Sequence, residues 1–450
     1  MRILVAAFAC DPLGRTGGED VLGWNMVVQL GRFHDAWVLT WGKNRAAIEE
    51  ALRDRSMPSV RFVYVDLPHW CAPLWRIPGG IQFFVYLWQI AAYRTARALH
   101  RRIRFEAFHH VTYANDWMAS IVGALLPVPF IRGPGGGAQR IPRTFLTEYT
   151  PLGRLGERAR SLGQWLFRRD PLFIKGQERA RAILVCNHEA LQAVPPRWRG
   201  KVTLFPVNGM NAEDLEYLAS LRVPQAATTF RVVSAGKLIR LKGFALAIKA
   251  FGRFVTGHSD AELLIIGDGP DRRYLEELVR SLGLQEQVCL RPWMPRHELL
   301  GLLASCDVLL FPSLRDGGGA VVIEAMAAGT PVVCLDLGGP ALHVTPACGI
   351  KIAPATPEQA VTGLAEALER LYADEACCER MGRVARVRIE EAYHWDRLGE
   401  RLFGLYADVF GSVHHTLTSS SVKVDVHDQG CHGSTHLSGR IFDGSHPAVE

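Results

Sequence analysis

Short apolar runs alternate with segments of helical period along most of this chain, and that alternation restricts the fold more than any other feature. In the first half the runs are RILVAAF, AWVLTW, RFVYVDL, FEAFHHV, VPFIRG, AILVCN and VTLFPV; in the second they are FRVVSAG, ELLIIGD, VCLRPW, DVLLFPS, PVVCLDL and IKIAP. Between them, 45–54 and 84–101 read as helices, and Phe244, Ala247, Ile248 and Phe251 recur at helical spacing, as do Leu275, Leu278, Val279 and Leu282. Strands separated by helices build parallel sheets, because a parallel connection needs a long crossover. The alternation lapses at 207–229, where Asn208-Gly209 and a polar stretch predict a linker. A 450-residue chain also exceeds the size at which one core usually divides. The expected fold is α/β, with two Rossmann-like parallel-sheet domains facing across a cleft. Their expected bounds are 1–207 and 230–392, joined by a linker at 208–229, with a C-terminal helix at 393–411 packing back on the first domain. Residues 412–450, rich in Ser, Gly and His without periodicity, read as a disordered tail.

A net charge of +6 suits phosphate-bearing ligands or an anionic membrane surface, and falls short of the strong basicity of a nucleic-acid binder. The ten cysteines form no paired C-x-x-C framework, which predicts reduced thiols and no structural metal. MRILVAAFACDP is too short and too quickly followed by turn residues to be a secretory signal, and reads as a first strand. GGIQFFVYLWQIAAY is shorter than the roughly 18 apolar residues a spanning helix needs. The expected location is cytoplasmic.

Two facing parallel sheets hold ligands beyond the carboxyl ends of their strands. RDGGGAVVIEAMAAGTPVV, residues 315–333, comes after one such strand, with Gly317, Gly318 and Gly319 ahead of a helix starting near Ala320. Glycines admit close backbone approach, and the free N–H groups of a helix start attract an anion. Carboxylates at Asp316 and Glu324 would repel a phosphate, so they are assigned to hydroxyls at either end of the ligand. That pattern describes a nucleotide-sugar, although a loop of this composition could equally be a plain tight turn if it stood alone. It has company: Gly236, Lys237 and Lys242 in SAGKLIRLKGF come after another strand, where two ammonium groups can clamp a diphosphate leaving group. Asp268, in IIGDGP, ends a third.

Together GKLIRLKG, IIGDGP, FPSLRDGGGAVVIEAMAAGTPVV and LGGP resemble the donor-binding domain of the family-4 retaining glycosyltransferases of GT-B fold. The resemblance extends over nearly all of residues 1–410. It implies Lys242 on the donor phosphates, Glu324 on the ribose, and main chain around Gly319 and Ala320 near the sugar and phosphate. Two positions depart from it: Asp316 replaces the first member of an E-x7-E pair, and Lys237 stands where Arg is usual. The implied reaction is front-face transfer, in which the departing diphosphate takes the acceptor hydroxyl proton. Lysines and a helix dipole can do the work of a cation there, so no metal and no cofactor are expected, the nucleotide-sugar being a substrate.

In the first domain ACDPLGRTGGEDVLGWN resembles the family's glycine-rich first loop, making Gly17 and Gly18 candidates for close approach to the donor, with an ordinary strand-to-helix turn equally compatible. FHHVTYAND and IRGPGGG resemble a bacterial subgroup acting in polysaccharide assembly. His109 and His110 alternate across a strand end, so only one of these two catalytic candidates can face the cleft; His109 is favoured, with an ordinary core or surface histidine almost equally compatible. Residues 140–181 interleave arginines with Leu, Trp165, Phe167 and Phe173, a pattern that fits an anionic inner leaflet as well as it fits a solvated helix face. On the first reading the acceptor is a lipid-linked glycan. A nucleotide-sugar epimerase of similar fold and a non-catalytic sugar-nucleotide binding protein remain open; a nicotinamide oxidoreductase does not, because FACDPLGRTGGED lacks G-x-G-x-x-G.

Overall fold

The computed structural model describes residues 1–14, 17–77, 79–221 and 229–411. The expected tail at 412–450 lies outside the described residues, as does part of the expected linker. Among the described residues, thirteen strands form two parallel sheets of seven and six. The first contains β1 (Arg2–Ala6), β2 (Asp35–Trp41), β3 (Val60–Val65), β4 (Ala107–His110), β5 (Phe130–Gly135), β6 (Ala180–Val185) and β7 (Val202–Leu204), ordered β3-β2-β1-β4-β5-β6-β7. The second contains β8 (Phe230–Ala235), β9 (Ala261–Ile266), β10 (Val288–Arg291), β11 (Val308–Phe311), β12 (Val332–Leu335) and β13 (Gly349–Ile352), ordered β10-β9-β8-β11-β12-β13. In each sheet the order reverses beside the first strand, at β1/β4 and at β8/β11, which is where such sheets bind ligands.

Helices cover both faces of each sheet, and this is why the central strands read as unbroken apolar runs rather than alternating ones. Under the first sheet, Phe84 and Trp88 of the Gly80–Ile103 helix pack with Phe8 and Phe108. On its other face, Val27 of the Gly18–Phe33 helix shares a core with Ile3, Val5 and three side chains from the C-terminal Trp395–Phe410 helix, Leu398, Leu402 and Tyr406. In the second domain the Phe244–Val255 helix buries Phe244, Ala247, Ile248 and Phe251. Leu275 and Val279 are buried one helix later, but Leu282 lies just past that helix and is 45% exposed, so the apolar period runs one residue too far.

Two segments differ from the sequence expectation. The expected linker contains a helix, Ala212–Ser220, whose Leu218 enters the core with Val322 and Ile389. A single buried leucine among acidic residues leaves little periodic signal, and Glu213 and Asp214 fit the positive end of the helix. Residues 141–149, read as part of the first domain, cross to the second. Ile141 and Phe145 are buried with Val232 and Phe244, Thr144 donates to the Ala355 carbonyl at 2.8 Å, and Lys249 reaches Glu148 at 3.0 Å. Among the described residues, no helix is long and apolar enough to cross a membrane.

Candidate active site

Beyond the carboxyl ends of β8, β9 and β11 the second domain opens on a cleft of about 1000 Å³, whose other wall comes from the first domain. Lys237 is exposed there, and among the described residues no ion pair or hydrogen bond engages its ammonium. Lys242 differs, being paired with Asp316. The second carboxylate oxygen of Asp316 accepts from the N–H groups of Gly318 at 3.1 Å and Gly319 at 2.8 Å. Burial works against the Asp316 charge, but Lys242 and those two N–H groups outweigh it and hold the carboxyl below the ordinary aspartate range. Asp316 therefore folds its own loop, rather than projecting freely at a sugar.

The glycines have separate duties. Gly319 has φ 55°, a left-handed conformation that starts the Ala320–Ala328 helix. A Cβ on Gly318 would collide with Val207 and Asn208. The Gly318 carbonyl is held from below by His343 Nε2 at 2.7 Å, while His343 Nδ1 meets the Tyr393 hydroxyl at 3.0 Å. Burial lowers the His343 pKa to about 4, so the ring is neutral and donates from Nε2. Nothing in the spacing of the sequence marked His343. At Ala320 and Val321, both lining the cleft, the first helical N–H groups have no acceptor earlier in the helix.

Glu324 lines the same cleft and accepts from Arg296 Nε at 2.7 Å; Arg296 also reaches Asp214 at 2.6 Å. Burial disfavours the Arg296 charge, but the two carboxylates outweigh it and raise its pKa further. One oxygen of Glu324 is thereby fixed and the other is left for a ligand. Sequence reading missed Arg296 because its partners lie on a helix read as linker and on another 28 residues away. Asp268 lines the cleft and accepts the backbone N–H of Trp293 at 2.9 Å, fixing the main chain from which an indole, 70% exposed, reaches the cleft edge. Gly236 lines it beside Lys237.

On the first-domain wall, Gly18 and Glu19 reach the cleft, whereas Gly17 caps the Gly18–Phe33 helix behind them and is not part of the lining. A Cβ on Gly18 would point into open space. Solvent reaches Glu19 through the cleft mouth, but the surrounding walls desolvate its carboxyl enough to push it up to about 7, against the lowering effect of the Tyr113 N–H. The end of β5 and the residues after it, Pro134, Gly136 and Gly137, form part of this wall, the Gly137 carbonyl accepting from Arg160 at 2.6 Å and Gln164 at 2.8 Å.

Neither histidine of β4 lines the cleft. His109 Nε2 must donate to the Gly133 carbonyl at 2.7 Å, so Nδ1 accepts from the Tyr406 hydroxyl at 2.9 Å. His110 stacks beside Phe108 on the opposite face. Both rings are buried, and burial lowers their pKa values to about 4 and about 3. A cleft-facing His109 is therefore not found, and the core reading holds for both rings, because β4 is a central strand covered on both sides.

Lysine charge and free helix N–H groups beside an oriented carboxylate can hold a diphosphate at one end and sugar hydroxyls at the other. Residues 222–388 match the model of the family described as Glycosyl transferases group 1. Over 174 residues the chain is 34% identical to a D-inositol 3-phosphate glycosyltransferase of Paenarthrobacter aurescens, covering 38% of this chain and 41% of that protein. The chain thus spans less than half the length of the curated relatives it matches. Among solved structures, sucrose-phosphate synthase from Thermosynechococcus elongatus superposes with a TM-score of 0.62 at 20% identity, covering 91% of this chain and 99% of that one. Anabaena HepE in complex with UDP-glucose gives a TM-score of 0.56 at 15% identity, covering 91% and 100%. The chain has the GT-B fold, and its residues 222–388 carry the sequence signature of the group 1 glycosyl transferases.

Proposed function

We propose that the protein is a retaining glycosyltransferase of family 4 that moves a sugar from a nucleotide-diphosphate sugar to an acceptor hydroxyl, the acceptor being a lipid-linked glycan of polysaccharide assembly. The observation that carries this reading is the convergence of Lys237, Lys242, Glu324 and the Ala320–Ala328 helix start on one cleft at the β8/β11 switch point. The diphosphate lies between the helix N–H groups and Lys237, where developing negative charge is stabilised as the glycosidic bond breaks. Lys242 turns from Asp316 toward the phosphates when the donor enters. The ribose hydroxyls donate to the oxygen of Glu324 that Arg296 leaves open, and the base rests on Trp293. The acceptor enters against Gly18 and Glu19. Its hydroxyl attacks from the face the diphosphate leaves, and the proton passes to that diphosphate. HepE was crystallised in complex with UDP-glucose, which supports a nucleotide-sugar as the donor class. The reaction runs without a metal, at the cytoplasmic face of the membrane.

A thermal-shift screen against UDP-, GDP- and ADP-sugars identifies the donor, and the anomeric configuration of the product by NMR tests retention. Activity unchanged by EDTA is expected. Inverted product, or free epimerised sugar formed without acceptor, would overturn this function.

A further inference from the structure

We propose that a second cavity, lined by arginines and set beside the cleft, takes a phosphate group carried by a membrane-borne acceptor. It measures about 620 Å³ and lies between residues 140–147 and the Pro151–Phe167 helix. Arg140, Arg143, Arg154 and Arg158 line it. Among the described residues, no ion pair or hydrogen bond engages these four guanidinium groups. Glu157 also lines the cavity, but it is already held by Arg315 at 2.6 Å, with Arg160 at 3.8 Å. Four uncompensated cations around one cavity repel each other, and an anion relieves that repulsion. Guanidinium forks match the paired oxygens of a phosphate better than a single carboxylate matches all four.

The same helix says where the phosphate comes from. Arg154, Glu157, Arg158 and Ser161 form the stripe that faces the cavity. Leu152, Leu155, Leu162 and Leu166 form a second stripe, roughly 130° around the helix, and each is more than half exposed. The exposed Phe83 lies 6.1 Å from Phe167, so the apolar surface continues onto the Gly80–Ile103 helix, while Trp165, 50% exposed, lies on the arginine side one turn after Ser161. A leucine stripe beside an arginine stripe fits a bilayer bearing phosphate headgroups, the leucines entering the acyl boundary while the arginines meet phosphates. Glu157, Arg160 and Arg315 separate this cavity from the cleft, and Arg315 directly precedes Asp316. A phosphomonoester of the acceptor held here places the sugar that bears it at the mouth of the donor cleft. The inference deepens the proposed function and rests on its lipid-borne acceptor.

The test is flotation of the full chain with vesicles of phosphatidylcholine, of phosphatidylcholine with phosphatidylglycerol, and of phosphatidylcholine with phosphatidic acid, the last two matched in surface charge. Wild type is expected to prefer phosphatidic acid, whose phosphomonoester is open to the forks. R154Q/R158Q should lose roughly tenfold or more of that binding, a basic residue at such a surface being worth about fivefold. L155S/L162S should lose binding as well. Both variants should keep the wild-type thermal shift with the nucleotide-sugar found in the donor screen. Vesicle binding without any nucleotide-sugar shift would sink the transferase function and leave this site standing. Equal binding to both anionic vesicles, or binding indifferent to R154Q/R158Q, overturns the site. So does a wild-type dimer that L155S/L162S dissociates while vesicles go unbound. A pyrophosphate-induced thermal shift that R154Q/R158Q abolishes, with no vesicle binding, would assign the cavity to a soluble phosphate and overturn the membrane source.

Discussion

β4 and β11 hold the same place in their sheets, each beside the first strand where the order reverses, yet they use their polar residues in opposite ways. In β4 the two histidines lie inside the strand, and helices cover both of its faces. His109 is spent tying the Gly133 carbonyl to Tyr406 of the C-terminal helix, and His110 lies against Phe108. In β11 the strand itself is wholly apolar, and the charged groups begin after its end, at Arg315 and Asp316. The charged groups that line the cleft come here from the loop after a central strand, while the polar side chains within β4 serve the architecture.

The largest effect should come from Lys242→Ala. If its ammonium stabilises the departing diphosphate, the transfer rate falls by about 10²- to 10³-fold. Because Asp316 also loses its partner, Lys242→Ala/Asp316→Asn separates a collapsed loop from lost catalysis: the slow rate should persist in the pair. If Lys237 faces the phosphates as proposed, Lys237→Arg keeps a cation there and should retain activity, whereas Lys237→Ala should not. His109→Phe is the converse experiment. It strands the Gly133 carbonyl and the Tyr406 hydroxyl, which should cost about 2 to 3 kcal/mol in chemical denaturation, with kcat intact in the folded enzyme. A large fall in kcat at unchanged stability would break the contrast between the two strands.

Acid should expose the same asymmetry. Burial holds His34 and His109 at about 4 and His110 at about 3, below the ordinary value of about 6.5 expected in the unfolded chain. Each group therefore contributes stability that is present above about pH 6.5 and lost as pH falls toward 4, because the unfolded state takes up protons that the folded state refuses. Melting temperature should drop between pH 7 and pH 5, and His109→Phe should flatten that slope. An unchanged slope would place the acid sensitivity elsewhere, with His343 in the second domain as the next residue to test.

How much was legible depends on the kind of signal each feature leaves. The strands announced themselves because both faces of each central strand are buried, so Val, Ile, Leu and Phe run without interruption. The glycine loop and its lysines were legible because they come directly after strand ends. Arg296, His343 and Trp293 were not, since each acts on a residue brought near only by the crossover connections, and no local spacing records that. The 141–149 crossing was hidden for a related reason. Phe145 is as apolar as any core residue of the first domain, and nothing in RTFLTEYT says which core it fills.

Glu324→Ala gives a smaller loss, about 2 kcal/mol of donor affinity, within the range for hydrogen bonds to a charged group. Calorimetry with the nucleoside diphosphate alone should show most of it. Asp316→Ala should act through the loop instead, lowering affinity for the complete donor and local stability together. Identical losses for the bare nucleotide in both variants would remove the distinction between a ligand-facing carboxylate and a loop-forming one.

The smallest effect tests whether the first domain obeys the same rule. Glu19 lies beyond the end of β1, as Asp316 lies beyond β11, and unlike the β4 histidines it reaches the cleft. With its pKa near 7 it is mostly neutral at pH 6 and charged at pH 8.5. If the diphosphate sits where proposed, ionisation sets a negative charge across the cleft from it, a repulsion of about 1 kcal/mol if some 8 Å of mixed protein and water separate them. A nucleotide-sugar has no phosphate ionisation of its own in this interval, so the pH dependence of its binding reports on the protein. Donor affinity should weaken about fivefold from pH 6 to pH 8.5, and Glu19→Gln should remove the dependence while leaving the affinity at pH 6 almost unchanged. If Glu19→Gln keeps the wild-type slope, the carboxylate does not face the diphosphate, and the first domain meets the donor through backbone alone.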